Sequence, residues 1–192
     1  MLKHGPKDEA YASLFTKEDI KLVQKITDID DFMTKTIAKW NDHNPVLEVG
    51  NHKIEFIQVS KAEDLPTFPG LIHCNKLAFG ASAVRWRYYG VGNDSREARP
   101  YQQQLFGEIF PRADMTSAPQ GSATRSGNAL RFIGIFPASF PTITVKESAV
   151  TQAVSGTSVF LNRNVFASTP INHVVNVTAF TVASLLTFTG VP

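Results

Sequence analysis

Five histidines and the single cysteine, Cys74, are the side chains of this sequence best suited to hold a metal ion. His73 stands next to Cys74, but no further Cys or His follows at the spacing that a tetrahedral zinc site uses. No HExxH motif occurs either. We therefore interpret Cys74 as a buried, inert side chain on a strand, and we expect no metal and no cofactor.

Other motif fragments with a chemical meaning are incomplete. Asp28, Asp30 and Asp31 resemble part of a calcium loop but lack its central Gly and closing Glu, and carboxylates at a helix start cap N–H groups. Gly90-x-Gly92 follows a strand pattern as a dinucleotide loop does, but Ser95 stands where the third Gly belongs. Neither a P-loop nor a GxSxG nucleophile motif occurs. We expect no enzymatic activity and no small-molecule substrate.

Basic and aromatic residues alternate in Val84–Tyr89, with Arg85 and Arg87 on one parity and Trp86 and Tyr88 on the other. Single-stranded nucleic acids bind to such surfaces because bases stack on rings while cations hold phosphates. Arginines stacked on aromatic rings at a subunit interface give the same pattern. The formal net charge of +2 is too small to favour nucleic acid, so we expect none as a partner.

The stretch that would position these residues is Asn128–Pro192, which is β-branched, aromatic and almost free of charge. Phe180, Val182 and Leu186 fall on one parity, interrupted by Ser184. Because successive strand residues face opposite sides, this pattern predicts a strand with one buried face, and Val175 and Val177 repeat it. Short runs of this kind cut by Pro, Gly and Asn predict an antiparallel β-sandwich or jelly-roll-like domain.

Charge is distributed unevenly along the chain. Residues 1–112 contain 15 Lys+Arg and 15 Asp+Glu, whereas residues 113–192 contain 4 and 2. The second part covers itself with Ser, Thr and Asn, a surface that repels other surfaces weakly and suits a packed assembly. A β-domain with a neutral polar exterior is the alternative. No apolar run approaches the ~20 residues of a membrane span, so we expect no membrane partner.

The chain divides into three predicted parts. Residues 1–15 are an N-terminal arm without periodicity, residues 16–45 are a helical segment, and residues 46–192 are a β-rich domain. Thr16 caps the first helix, and the apolar spacing continues to Trp40, before Asn44-Pro45 stops it. Deleting the arm is expected to weaken assembly while the fold stays intact.

Within the β-rich part, several elements are predicted in order. Gly50-Asn51 joins Val46–Val49 to His52–Val59 as a two-residue hairpin, because Gly accepts the positive φ that such turns need. The elements that follow are a loop at Ser60–Gly70, a weak strand at Leu71–Phe79, a strand at Val84–Tyr89, a loop from Gly90 to Ser95, a short helix beginning near Pro100 and a mobile loop at Ala113–Asn128.

Two segments together resemble small virion proteins of tailed bacteriophages, over about residues 84–192. Such proteins combine a Gly-x-Gly, a small polar loop and a short helix ending in Arg with a later Gly-Thr turn, a Leu-x-Arg-x-x-Phe strand and a Thr-rich final strand. The matching residues are Gly90, Gly92, Leu105, Glu108, Arg112, Gly156, Thr157, Leu161, Arg163 and Phe166. Glu147-Ser148-Ala149-Val150 stands where these proteins usually have Glu, Val or Ala, Gly, Leu and Phe.

The resemblance implies a non-enzymatic structural protein of the virion, assembled in the host cytoplasm. It would be a capsid decoration protein, a head–tail connector or neck component, or a tail-attached protein. Its partners would be further copies of itself, as a homo-oligomer, and other virion proteins. Candidates for the contacts between subunits lie in the arm and in the basic–aromatic strand: Leu2, Tyr11, Leu14, Phe15, Arg85, Arg87 and Tyr89.

A glycan- or receptor-binding β-sandwich module is the alternative function. Its stacking platform would be formed by exposed Trp86, Tyr88, Tyr89 and Tyr101. A buried Trp86 would argue against this alternative.

Overall fold

The computed structural model describes residues 7–23, 46–49, 51–80, 85–117, 120–126, 129–166 and 168–187, and these residues are mainly β-strand. The strands are β1 (Lys7–Thr16), β2 (Val46–Val49), β3 (His52–Pro66), β4 (Tyr88–Gly92), β5 (Glu108–Asp114), β6 (Gly121–Ser126), β7 (Ala129–Phe136), β8 (Ile143–Val145), β9 (Glu147–Thr151), β10 (Asn162–Val165), β11 (Ile171–His173) and β12 (Thr178–Thr187). Two helices are described, α1 (Ile20–Val23) and α2 (Phe68–Ala78).

Among the described residues, ten strands form one sheet in which the neighbours are antiparallel. Its order is β5-β4-β9-β10-β3-β1-β12-β7-β6, with β2 added on β3, and β8 and β11 form a separate pair. Strand β1 lies in the interior of the sheet, between β3 and β12. The sheet folds over so that the ring of Tyr89 on β4 packs against Gly134 on β7. This antiparallel arrangement is the coarse part of the fold prediction, and it is confirmed.

The final strand β12 is confirmed, but it is buried on both faces. Phe180, Val182 and Leu186 belong to one core cluster, while Ala179 and Ala183 on the opposite parity belong to a second. The prediction of a single buried face is therefore wrong. Val175 and Val177 are exposed and precede the strand in a turn.

Ser184, which interrupts the apolar parity of β12, is fully buried in a polar network. The side-chain amides of Asn162 and Asn164 each lie 3.0 Å from its hydroxyl oxygen, and the Tyr89 hydroxyl lies 2.5 Å from the same atom. Asn164 also donates to Ser148 at 3.0 Å. Buried polar groups need such partners, so this network links β12 to β4, β9 and β10 across the core.

Among the N-terminal predictions, the hairpin is confirmed and the arm is wrong. Strand β2 pairs with β3 from Val46 opposite Glu55 to Val49 opposite His52. Lys7–Thr16 is a strand with neighbours on both sides, so deleting residues 1–15 would remove part of the sheet, not a free arm. Of the helical segment 16–45, the described residues include α1, and residues 24–45 lie outside the described residues.

The predicted loop at Ser60–Gly70 and strand at Leu71–Phe79 are wrong. Strand β3 continues to Pro66, and α2 then begins at Phe68. Thr67 caps this helix by accepting a hydrogen bond from the Gly70 N–H at 3.1 Å, and Pro69 lies in the first turn, where its missing N–H costs little. Gly70 also lets the helix approach the backbone of Phe160 and Leu161, where a Cβ would collide.

Other predictions fail in the middle of the chain. Arg85–Arg87 are not in a strand, whereas Gly90–Gly92 belong to β4 and not to a loop. The segment after Pro100 forms turns instead of a helix, and Glu108 begins β5. The predicted loop at Ala113–Asn128 contains the end of β5 and the whole of β6.

Candidate interaction site

A buried ion pair joins two of the motif residues, Glu147 on β9 and Arg163 on β10. Both side chains are fully buried, and Arg163 Nε donates to Glu147 Oε2 at 2.8 Å. In the pairing of β9 with β10, Val165 lies opposite Glu147, and Arg163 precedes Val165 by two residues. A buried charge needs an opposite charge and further hydrogen bonds, and this pair has both.

The same pair holds the loop that connects β4 to β5. Glu147 Oε1 accepts a hydrogen bond from the Gly107 N–H at 2.7 Å, and Oε2 accepts one from the Phe106 N–H at 3.3 Å. Arg163 Nη1 donates to the Arg96 carbonyl oxygen at 2.7 Å. The pair therefore fixes residues at both ends of the loop.

Gly92, which the sequence placed in a Gly-x-Gly fragment, is needed for space. A Cβ at this position would collide with the carboxylate of Glu147 and with the Gly107 carbonyl oxygen. The glycine lets β4 approach the buried pair, which is a packing role and not a phosphate-binding one.

A second buried pair lies on β5 and holds the loop after β9. Arg112 and Glu108 side chains are 0% and 10% exposed, and Arg112 Nη2 donates to Glu108 Oε2 at 2.9 Å. Arg112 also donates to the carbonyl oxygens of Ala153 at 2.6 Å and Gly156 at 2.8 Å. Both ion pairs thus hold loops of the part of the sheet in which β5, β4, β9 and β10 are neighbours, and the two loops lie at opposite ends of β9.

The loop between β4 and β5 presents Phe106 between two guanidinium groups. Arg96 lies 3.8 Å and Arg163 5.2 Å from the ring centroid. Arg96 also binds Asp94, and this hydrogen bond holds the pKa of the Asp94 carboxyl below its usual range. Beside Phe106 lies an open cleft of about 690 Å³, lined by Arg99, Pro100, Tyr101, Gln102, Gln103, Gln104, Phe106 and Thr157.

Tyr101 connects this cleft to the outer face of α2. Its ring is 75% exposed and lies 5.0 Å from that of Phe68, which is 47% exposed. The Phe68 N–H donates to the Pro100 carbonyl oxygen at 2.7 Å, which ties the start of α2 to the loop. Ile72 and Phe79, at the same face of the helix, are 56% and 86% exposed.

Of the residues predicted to contact other subunits, some are buried and others are exposed. Tyr11, Leu14, Phe15 and Tyr89 are buried within their own chain, because β1 and β4 are part of the folded sheet, so they are not available as surface contacts. Arg85 and Arg87 are exposed, and Arg87 pairs with Asp114 at 2.7 Å. Leu2 lies outside the described residues.

The predicted glycan platform is not assembled as expected. Trp86 is 8% exposed and packs edge-on against His73, and Tyr89 is fully buried. Tyr88 is half-buried under Arg87, and Tyr101 alone of the four predicted residues is largely exposed.

Cys74 lies on helix α2 and not on a strand, and it is half-buried beside the core. Burial raises the pKa of its thiol. Across the described ranges, no group of three or more His, Cys, Asp or Glu side chains could hold a metal ion.

The exposed face of α2 was missed because its sequence was interpreted as a strand. Thr67 followed by Pro69 is the signal that could have found it, since a cap residue and a first-turn proline mark a helix start. With the helix assigned, the spacing of Phe68, Ile72 and Phe79 places them on one side.

No family model, curated protein or solved structure matches this chain. In the part of the chain that the structure describes, no helix is both long and apolar enough to span a membrane.

Proposed function

We propose that this chain is a non-enzymatic structural protein of a bacteriophage particle, built on a two-layered antiparallel sandwich. The observation that carries the proposal is the meeting of the motif residues in one place. Gly92 and Arg163, which are distant in sequence, both contact Glu147 at the junction of β4, β9 and β10. The residues behind the resemblance thus act together to hold two loops.

The chemistry of these groups supports a positioning role. The charges of Glu147 and Arg163 neutralise each other, and their remaining hydrogen bonds go to backbone groups of the loop. The charges of Glu108 and Arg112 also neutralise each other, and Arg112 donates a further hydrogen bond to a backbone carbonyl oxygen of a loop. Buried ion pairs add little net stability, because the cost of desolvating both charges offsets their attraction, so we assign these pairs a positioning role.

The proposed partners are further copies of the chain and other virion proteins. The low charge of residues 113–192 supports this, because such a surface has little repulsion to overcome when it packs against another. The protein would be assembled in the host cytoplasm and remain in the virion, on the head, the neck or the tail.

Quantitative mass spectrometry of purified phage particles tests this proposal. Particles from cells that carry the gene are banded on a density gradient, and peptides of this chain are counted against a capsid protein of known copy number. We expect the chain at several fixed copies per particle through the last purification step. Its loss from intact particles would contradict the proposal.

A second candidate function is binding of a glycan or host receptor at the cleft, with Tyr101 as the stacking ring. The cleft places this exposed ring beside Gln103 and Gln104, whose amides can bond to hydroxyl groups. Glycan-array binding that Tyr101→Ala abolishes and Phe79→Ala preserves would favour it. Binding that survives Tyr101→Ala would count against it.

A further inference from the structure

Helix α2 is apolar on both of its sides. Towards the interior, Cys74 and Leu77 pack against the main core cluster. Phe68, Ile72 and Phe79 face the solvent. They lie within about 40° of each other around the helix axis, because successive helical residues are rotated by about 100°. Asn75 and Lys76 are the exposed polar side chains on this side, and the three large apolar side chains beside them form a patch that another surface can cover.

The exposed apolar surface formed by α2 and Tyr101 is close in area to one side of a protein–protein interface. Because large side chains present about 150–250 Å² each, the exposed fractions of Phe68, Ile72, Phe79 and Tyr101 leave roughly 500 Å² uncovered. This is near the upper limit of the largest patch on an ordinary monomer, about 300–600 Å². With a polar rim, it approaches the ~800 Å² that each partner contributes to a standard interface.

Charge on this face is sparse and of one sign. The segment Phe68–Phe79 contains Lys76 and no acidic residue. Lys76 follows Ile72 by four residues, so it lies on the same face, and no ion pair among the described residues includes it. A cation among aromatic rings is attracted to the face of another ring.

We propose that this face binds the same face of a second copy of the chain, with the two α2 helices antiparallel about a two-fold axis near Ile72. Under that symmetry, position 68 of one copy lies opposite position 76 of the other. Each Lys76 then meets the Phe68–Tyr101 pair of the second copy, and the two lysines stay apart. Each cation therefore lies opposite an aromatic pair, so the two faces are complementary in charge.

This inference rests on the self-association part of the proposed function and makes it specific. The test is the absolute mass of the purified protein by light scattering over a concentration series, for the wild type, Ile72→Lys and Ile57→Lys. Ile57 is a matched control, because it is 56% exposed like Ile72 but lies on β3, away from α2. Circular dichroism checks that each variant is folded.

We expect the wild type and Ile57→Lys at twice the mass of one chain, or an even multiple of it, and Ile72→Lys at half that value. Lys76→Glu places a negative charge against the aromatic rings and is expected to raise the dissociation constant about tenfold. The same change at Lys61, Lys61→Glu, is the control, because Lys61 pairs with Glu9 elsewhere on the surface, and it is expected to leave the mass unchanged.

The possible failures are distinguishable. An associated Ile72→Lys protein would overturn the α2 interface while leaving self-association, and with it the proposed function, in place. A wild-type protein that is monomeric at every concentration would show that this face does not bind a second copy of the chain. The mass spectrometry of particles would then still decide whether the chain is a virion protein.

Discussion

Two regions of this molecule are held together by different physical means. Around β4, β9 and β10, a fully buried ion pair and its backbone partners fix the loops, whereas around β7 and β12 the buried contacts are aromatic and aliphatic apart from the polar network at Ser184. In the second region, Phe180 stacks on Phe136 with ring centroids 4.6 Å apart. Apolar packing is non-directional and stabilises the fold, whereas hydrogen-bonded charges are directional and set the position of particular chain segments.

Arg163→Met should have the largest effect in the ionic region. It leaves the Glu147 carboxylate buried without its counter-charge, which costs about 3–5 kcal/mol of unfolding free energy in comparable cases. Urea denaturation measures the change. A double variant, Glu147→Gln with Arg163→Met, should recover part of the loss, and a double variant less stable than the single one would refute the account of the pair.

Phe180→Leu should have an intermediate effect in the apolar region. The smaller side chain loses the stack on Phe136 and leaves a partly filled cavity, for a loss of roughly 1–3 kcal/mol. Val177→Ala is the control, because Val177 is 57% exposed and should change little. Equal losses for the two variants by urea denaturation would show that Phe180 is not a core residue.

A smaller, pH-dependent effect is expected from His173. Burial lowers the pKa of this imidazole, and its ring nitrogens lie 3.0 Å from the Thr178 hydroxyl and 2.9 Å from the Phe140 carbonyl oxygen. The unfolded chain therefore takes up the proton first. Stability contributed by neutral His173 is complete above the unfolded pKa of about 6.5 and is lost as the pH falls towards the folded pKa, by at most about 1.4 kcal/mol per pH unit.

Denaturation midpoints between pH 7.5 and 5 test this assignment. The His173→Gln variant should be less stable at pH 7.5 but should lose less stability on acidification than the wild type. An identical pH profile for the two proteins would exclude His173 as the group responsible.

The smallest effect on stability is expected for Arg87→Ala, because the ion pair with Asp114 lies at the surface, where solvent screens it. Its consequence is local. The Arg87 guanidinium holds the pKa of the Asp114 carboxyl well below its usual range, so the pKa should rise in the variant. An NMR titration of Asp114 measures this, and an unchanged pKa would show that the pair does not form in solution.

The difference between local and long-range interactions also decides how much of the fold could be predicted from the sequence. The final strand β12 and the antiparallel pairing of β2 with β3 follow from local signals, and both are confirmed. Strand β1 was missed because its inward residues include the small Ala10 and Ala12, and because Glu9 and Lys61 meet as an ion pair across neighbouring strands. Pairing between strands that are distant in sequence cannot be recognised from a few consecutive residues.

The candidate site could be predicted only in part for the same reason. The resemblance named Arg163 and its strand, but the contact with Glu147 depends on the pairing of β9 with β10. The outer face of α2 needed the helix to be assigned first, and the β-branched and aromatic residues around it favoured a strand. Long-range pairing and tertiary context therefore account for most of what was missed.

The proposed self-association of this chain is tested most directly by the absolute mass of the wild-type protein in solution. Light scattering from low to high micromolar concentration should give one discrete mass at an even multiple of the chain mass. A single-chain mass at every concentration would contradict self-association through α2 and would leave docking onto a pre-formed particle as the mode of assembly to test.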